Sequence, residues 1–184
     1  DPPPFATAVK DWAGKVDQDR DYFWYRRSFR APSERAVALL RVNKAQFGTA
    51  VWLNGRKIGE YAGCFSAGRF DVGPAIRWGE MNEVVIRIGA HPAVLPDTFP
   101  TGSDFEKNIW TPGIYDSVSV AFCDDPSIES VQVAPRVATG EVVLQTRVRN
   151  RSGAAVTASL TQAVKTWKGG KDAGACAPLA VALA

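Results

Sequence analysis

The sequence predicts an all-β fold, with antiparallel sheets stacked as a sandwich. Short runs alternate apolar and polar residues with a period of two, as in "EVVIRIGA" at 83–90, where Val84, Ile86 and Ile88 share a face. Asn54-Gly55 stands between two β-prone runs, and both residue types tolerate the positive φ of a two-residue hairpin turn. No βαβ periodicity, GxGxxG or P-loop is present, which disfavours a nucleotide-binding α/β fold.

The elements follow in order. Residues 1–21 are rich in Pro and then Asp, and are expected to wrap a surface with at most a short helix around Ala8 to Lys15. "YFWYRRSFRA" at 22–31 reads as a strand closed by Pro32, and "RAVALLRVNK" at 35–44 as a nearly continuous apolar strand. In the hairpin "GTAVWLNGRKIGEY", Val51 and Leu53 share one face and Trp52 takes the other. Gly59 and Gly63 are expected to break the returning strand before "GRFDV" at 68–72.

Residues 73–82 read as a connection with room for one helical turn, followed by the strand at 83–90. The stretch from His91 to Pro112 has three internal prolines and reads as a long irregular loop, which in a compact domain is either functional or packed down by its own aromatics. "YDSVSVAF" at 115–122 closes the first unit, and "CDDPS" at 123–127 reads as a linker. Three alternating segments follow, too few for a complete sandwich. The tail from Lys165 is of low complexity with no evident partner. A first domain is therefore expected over 1–124, and an incomplete β-domain over 127–184.

Composition narrows the function. Hydrophobic residues are 46% of the chain, enough to fill a core, and six Trp and nine Phe against one Met favour rigid aromatic packing. The net charge of +3 divides into −1 over residues 1–125 and +4 over 126–184, with no dense basic stripe of the kind phosphate recognition needs, so no nucleic-acid partner is expected. No apolar run approaches the ~20 residues that cross a membrane, and no membrane partner is expected. The start, "DPPPFATAV", reads as a cut or processed end and leaves secretion open. Cys64, Cys123 and Cys176 form no CxxC pair; buried free thiols are favoured over a single bridge, most simply Cys64 to Cys123. His91, the lone histidine, and Asp97 lack a third ligand at useful spacing, so neither a metal nor a cofactor is expected.

The acidic candidates near the long loop are Asp97, Asp104, Glu106 and Asp116. Glycoside hydrolysis needs two carboxylates across the scissile bond; the alternatives for these four are hydrogen bonds to sugar hydroxyls, solvent exposure or loop bracing. Trp110 reads either as core packing behind the Pro112-Gly113 turn or as a stacking platform for a sugar ring. Trp24, Trp52 and Trp78 read as packing residues. Arg26 and Arg27 should point to opposite faces, one of them paired with a carboxylate such as Asp71.

Together, "YFWYRRSFRAP", "VWLNGRKIGEYAGCFSAGRFDV", "NEVVIRIG" and "WTPGIYDSVSV" resemble the N-terminal domain of family 2 glycoside hydrolases over roughly residues 22–122. That family includes β-galactosidases, β-glucuronidases and β-mannosidases. The resemblance implies a galactose-binding-like jelly-roll β-sandwich, with residues 127–164 as the opening strands of an immunoglobulin-like sandwich. In the family a catalytic (β/α)₈ barrel follows, and it carries the acid/base and nucleophile glutamates. No segment here matches theirs, so the expected catalytic set in this chain is empty. In some β-galactosidases of the family an aspartate just after the "G-I-[FY]-x" turn helps hold the sugar; the matching position here is Ser117, with Asp116 one residue earlier.

The resemblance implies a non-catalytic accessory region of a β-glycosidase, a β-galactosidase among the candidates. Its partners would be carbohydrate and the barrel of the same parent protein. The sequence leaves localisation unknown, with a secreted or periplasmic setting favoured over a cytoplasmic one. The substrate-binding candidates are Asp104, Glu106, Trp110 and Asp116. The alternatives are a free-standing carbohydrate-binding module and a structural or interaction fragment.

Overall fold

The computed structural model describes residues 22–46, 48–63, 66–89 and 113–184. The chain divides into two units, Asp1–Phe122 and Cys123–Ala184. The described residues form β-strands and one short 3-10 turn, with no α-helix among them.

In the first unit, β1 (Tyr22–Arg30), β7 (Met81–Gly89), β4 (Thr49–Leu53) and β5 (Arg56–Tyr61) form a four-stranded sheet in the order β1-β7-β4-β5. A three-stranded sheet has the order β6-β2-β9, from Gly68–Asp71, Val37–Val42 and Val118–Cys123. A small pair, β3 (Ala45–Gln46) with β8 (Gly113–Ile114), joins the ends of longer strands.

Alternation builds the core. Val51, Leu53, Val84, Ile86 and Ile88 from the larger sheet pack with Leu40, Val42 and Phe70 from the smaller one, and with Val72 just past β6, in a single buried cluster. The 84/86/88 face and the 51/53 face were both readable from period two. Trp78 packs edge-on against Phe122 at 5.7 Å, as a packing residue should.

The hairpin turn forms as expected, with Asn54 at φ 51° and Gly55 at φ 80°. Residues 73–75 make the single 3-10 turn of the connection.

Several expectations need correction. Gly59 does not break the returning strand: it pairs with Val51 inside β5, and the Phe70 ring lies 3.5 Å from where a Cβ would stand. Arg26 pairs with Glu83 rather than Asp71, by a 2.6 Å hydrogen bond along the same sheet face. Asp71 instead accepts the Gly73 amide at 3.0 Å. Trp24 is not a core residue; it is 59% exposed on the outer face of the larger sheet. Cys123 and Cys176 are free thiols, half-buried and exposed in turn rather than buried, and Cys64 lies outside the described residues.

In the second unit, β10 (Ser127–Arg136) pairs with β11 (Glu141–Arg149), and β12 (Val156–Lys165) with β13 (Asp172–Leu183), all antiparallel. β13 corrects the expectation of a partnerless tail. Its Ala/Gly composition lacks alternation, so the strand owes its existence to pairing with β12 across a turn where Gly169 and Gly170 have positive φ. Half-buried residues alternate along the ribbons, among them Leu144, Thr146, Val148, Val156, Leu160 and Val181, yet Ser127 alone is buried in residues 123–184. A cleft of about 480 Å³ opens between the ribbons, bridged by Gln162 donating to the Thr146 hydroxyl at 2.5 Å.

Candidate functional site

Two chain corners meet at one edge of the first unit. The chain leaves β2 through Asn43 and Lys44, and enters β9 through Tyr115, Asp116 and Ser117. The β3/β8 pair, Ala45 opposite Ile114 and Gln46 opposite Gly113, holds the corners in register. Beyond it the ladder is continued by Tyr115 N–H donating to Lys44 C=O at 2.9 Å and Asn43 N–H donating to Ser117 C=O at 3.1 Å. Tyr25 braces the base: it hydrogen-bonds the Ile114 backbone, and burial raises its phenol pKa above the ordinary value.

Four polar side chains converge on this frame. Asn43 Nδ2 donates to Ser117 Oγ at 2.7 Å. Asp116 Oδ1 accepts the Ser117 amide at 2.6 Å, and Lys44 Nζ stands 3.9 Å from Asp116 Oδ2. These contacts hold the Asp116 carboxyl below the usual aspartate range, the Ser117 N–H being the largest cause and the Lys44 charge a smaller one. The group is therefore an ionised acceptor at neutral pH, suited to receiving hydroxyl protons in hydrogen bonds and unsuited to donating one as a general acid. Asn43 Oδ1 is buried and finds no partner among the described residues.

Asp116 also explains why β9 begins at Val118, three residues later than the alternation at 115–122 suggested. Its carboxylate captures the Ser117 N–H that a strand would have given to a neighbour. Asp104, Glu106 and Trp110 lie outside the described residues, as do His91 and Asp97. Among the described residues no group of three His, Cys, Asp or Glu is placed to hold a metal ion. Asn43 and Lys44 were not singled out from sequence; their only local signal is a polar pair breaking an apolar strand.

A family model for the glycosyl hydrolase 2 galactose-binding domain-like family matches residues 8–97. Among curated proteins no match was found. Solved structures similar to the chain include a glycosyl hydrolase family 2 member from Bacteroides cellulosilyticus, with a TM-score of 0.69 and 18% identity over 89% of this chain and 22% of that one. A calcium-binding mutant of Bacteroides uniformis β-glucuronidase 2 gives a TM-score of 0.65 and 22% identity over 92% of this chain and 21% of the other. The Ruminococcus gnavus β-glucuronidase gives 0.58 and 20% identity, over 88% and 30%. At such identities the likeness is one of fold, and the chain spans less than a third of each of these structures.

Proposed function

Because its first unit is a galactose-binding-like domain of the glycosyl hydrolase 2 family, we propose that this chain is the non-catalytic N-terminal region of a β-glycosidase, supporting a (β/α)₈ barrel and offering the Asn43–Ser117 edge to the substrate cleft. The observation that carries this reading is the placement of Asp116. It is the one carboxylate at the edge among the described residues, with Oδ1 accepting the Ser117 N–H at 2.6 Å and Oδ2 standing 3.9 Å from Lys44 Nζ. A single ionised carboxylate can orient a sugar hydroxyl, whereas glycoside cleavage needs a proton donor and a second carboxylate. Asp104, Glu106 and Trp110 belong to the same proposal as further lining of the cleft.

The second unit is proposed to be the opening half of an immunoglobulin-like sandwich. Its alternating half-buried stripes, with one buried residue in the whole unit, have the pattern of two inner faces lacking their remaining strands.

The edge is tested in the parent glycosidase by Asp116→Ala. The expected result is a several-fold higher KM for a β-glycoside with kcat within about twofold, the signature of lost uniform binding. An unchanged KM removes Asp116 from the cleft.

A further inference from the structure

The outer face of the β1-β7-β4-β5 sheet carries a feature that the edge site does not use. Strand register places Trp24 opposite Arg87, Ala50 opposite Arg87 from the other side, and Trp52 two residue pairs further on, opposite Val85. Tyr22, Trp24 and Trp52 thus surround Arg87. The guanidinium lies 4.4 Å from the Tyr22 ring centroid, 5.7 Å from Trp52 and 5.9 Å from Trp24. The two indoles stand 5.4 Å apart at a 37° tilt. Glu60 anchors Arg87 at 3.4 Å and takes Lys57 at 2.7 Å, and Arg26 pairs with Glu83 on the same face. Ala50, beside Arg87, is only 1% exposed, so the cluster lies flat over the sheet.

We propose that this face is a glycan-binding platform that takes a chain of pyranose units, with Trp24 and Trp52 stacking on sugar C–H faces and Lys57, Glu60 and Arg26 meeting the hydroxyls. It goes beyond the edge site, and it stands on the geometry of the face alone. Three points support it. The rings belong to the side of the sheet away from the core, and Trp24 stays 59% exposed, a placement that adds little to folding. The rings are already held by the Arg87 stack, so little side-chain freedom is lost on binding. The charges decide between occupants. Lys57, Glu60 and Glu83 sit among the aromatics, and a protein partner would have to strip water from them, whereas interface centres are depleted in Lys and Glu. Sugar hydroxyls replace that water with hydrogen bonds of both polarities and leave the charges half wet.

The test uses the 184-residue chain in native gels cast with mixed-linkage β-glucan, glucuronoxylan or linear galactan, followed by calorimetric titration with oligosaccharides of whichever polymer retards it. The expected result is retardation by at least one of the three polymers, weakened tenfold or more by Trp24→Ala and by Trp52→Ala. Trp24→Phe is expected to keep most of the binding. Near-ultraviolet circular dichroism of Trp24→Ala should retain the core signal, which separates lost binding from lost folding. Migration of the wild type unchanged by all three polymers overturns the proposal. So does retardation that survives Trp24→Ala, or self-association in sedimentation that Trp24→Ala abolishes, the latter marking a protein-docking face.

Discussion

Replacing Asn82 with Leu is expected to destabilise the first unit by about 3–5 kcal/mol, because each buried backbone group left without a partner costs roughly 1–3 kcal/mol. Asn82 is 2% exposed and makes four hydrogen bonds. Its Oδ1 accepts from Arg77 N–H and Asn54 Nδ2, both at 2.8 Å, and its Nδ2 donates to Arg77 C=O at 2.8 Å and Glu80 C=O at 3.0 Å. Asn54 extends the network to Ala75 C=O and Glu83 N–H. The two asparagines thus tie the hairpin turn to the 73–82 connection, and Leu would orphan groups on both. Asn82→Asp is expected to be nearly as harmful despite its shape, since a carboxylate would face two carbonyls where the amide now donates. Urea unfolding, followed by near-ultraviolet circular dichroism of the first unit, reads the loss as a lower midpoint at unchanged slope. A loss below about 1 kcal/mol would mean that water replaces the amide and that the network is not structural.

The second large effect belongs to Leu53. It is fully buried, paired with Val84 on one side and Arg56 on the other, and packs in the cluster that both sheets share. Leu53→Ala is expected to cost about 3–4 kcal/mol, from lost transfer energy plus the cavity left behind. The neighbouring Trp52 supplies the contrast. It points to the other face, so Trp52→Ala removes a stacking partner of about 0.5–1.5 kcal/mol and opens no cavity in the core. The larger residue should therefore matter less. Equal losses at the two positions would contradict the assignment of inner and outer faces.

These two cases show what local sequence carries and what it does not. Period two and an Asn-Gly turn locate β4, β5 and β7 and the face each buries, because those signals act between residues a few positions apart. Arg26 defeated the same logic: its partner Glu83 lies 57 residues away and is set by strand order. β13 was missed because an Ala/Gly-rich segment has no periodicity, and its pairing with β12 overrides weak local preference.

The site followed the same rule. Asp116 was visible as a carboxylate beside a turn, but Asn43 reaches Ser117 across 74 residues, and Lys44 meets Asp116 only once β3 and β8 are paired. Neither residue has a local mark of function. The Trp24–Arg87–Trp52 face was hidden for a related reason. Alternation turns Trp52 away from the Val51/Leu53 face, but only the register shows that Trp24 and Arg87 share that side.

The proposed non-catalytic role is tested most directly with the 184-residue protein alone, at high concentration, on chromogenic β-galactoside, β-glucuronide and β-mannoside. No turnover above the uncatalysed rate is expected. Measurable hydrolysis that a single substitution within the chain abolishes would contradict that role.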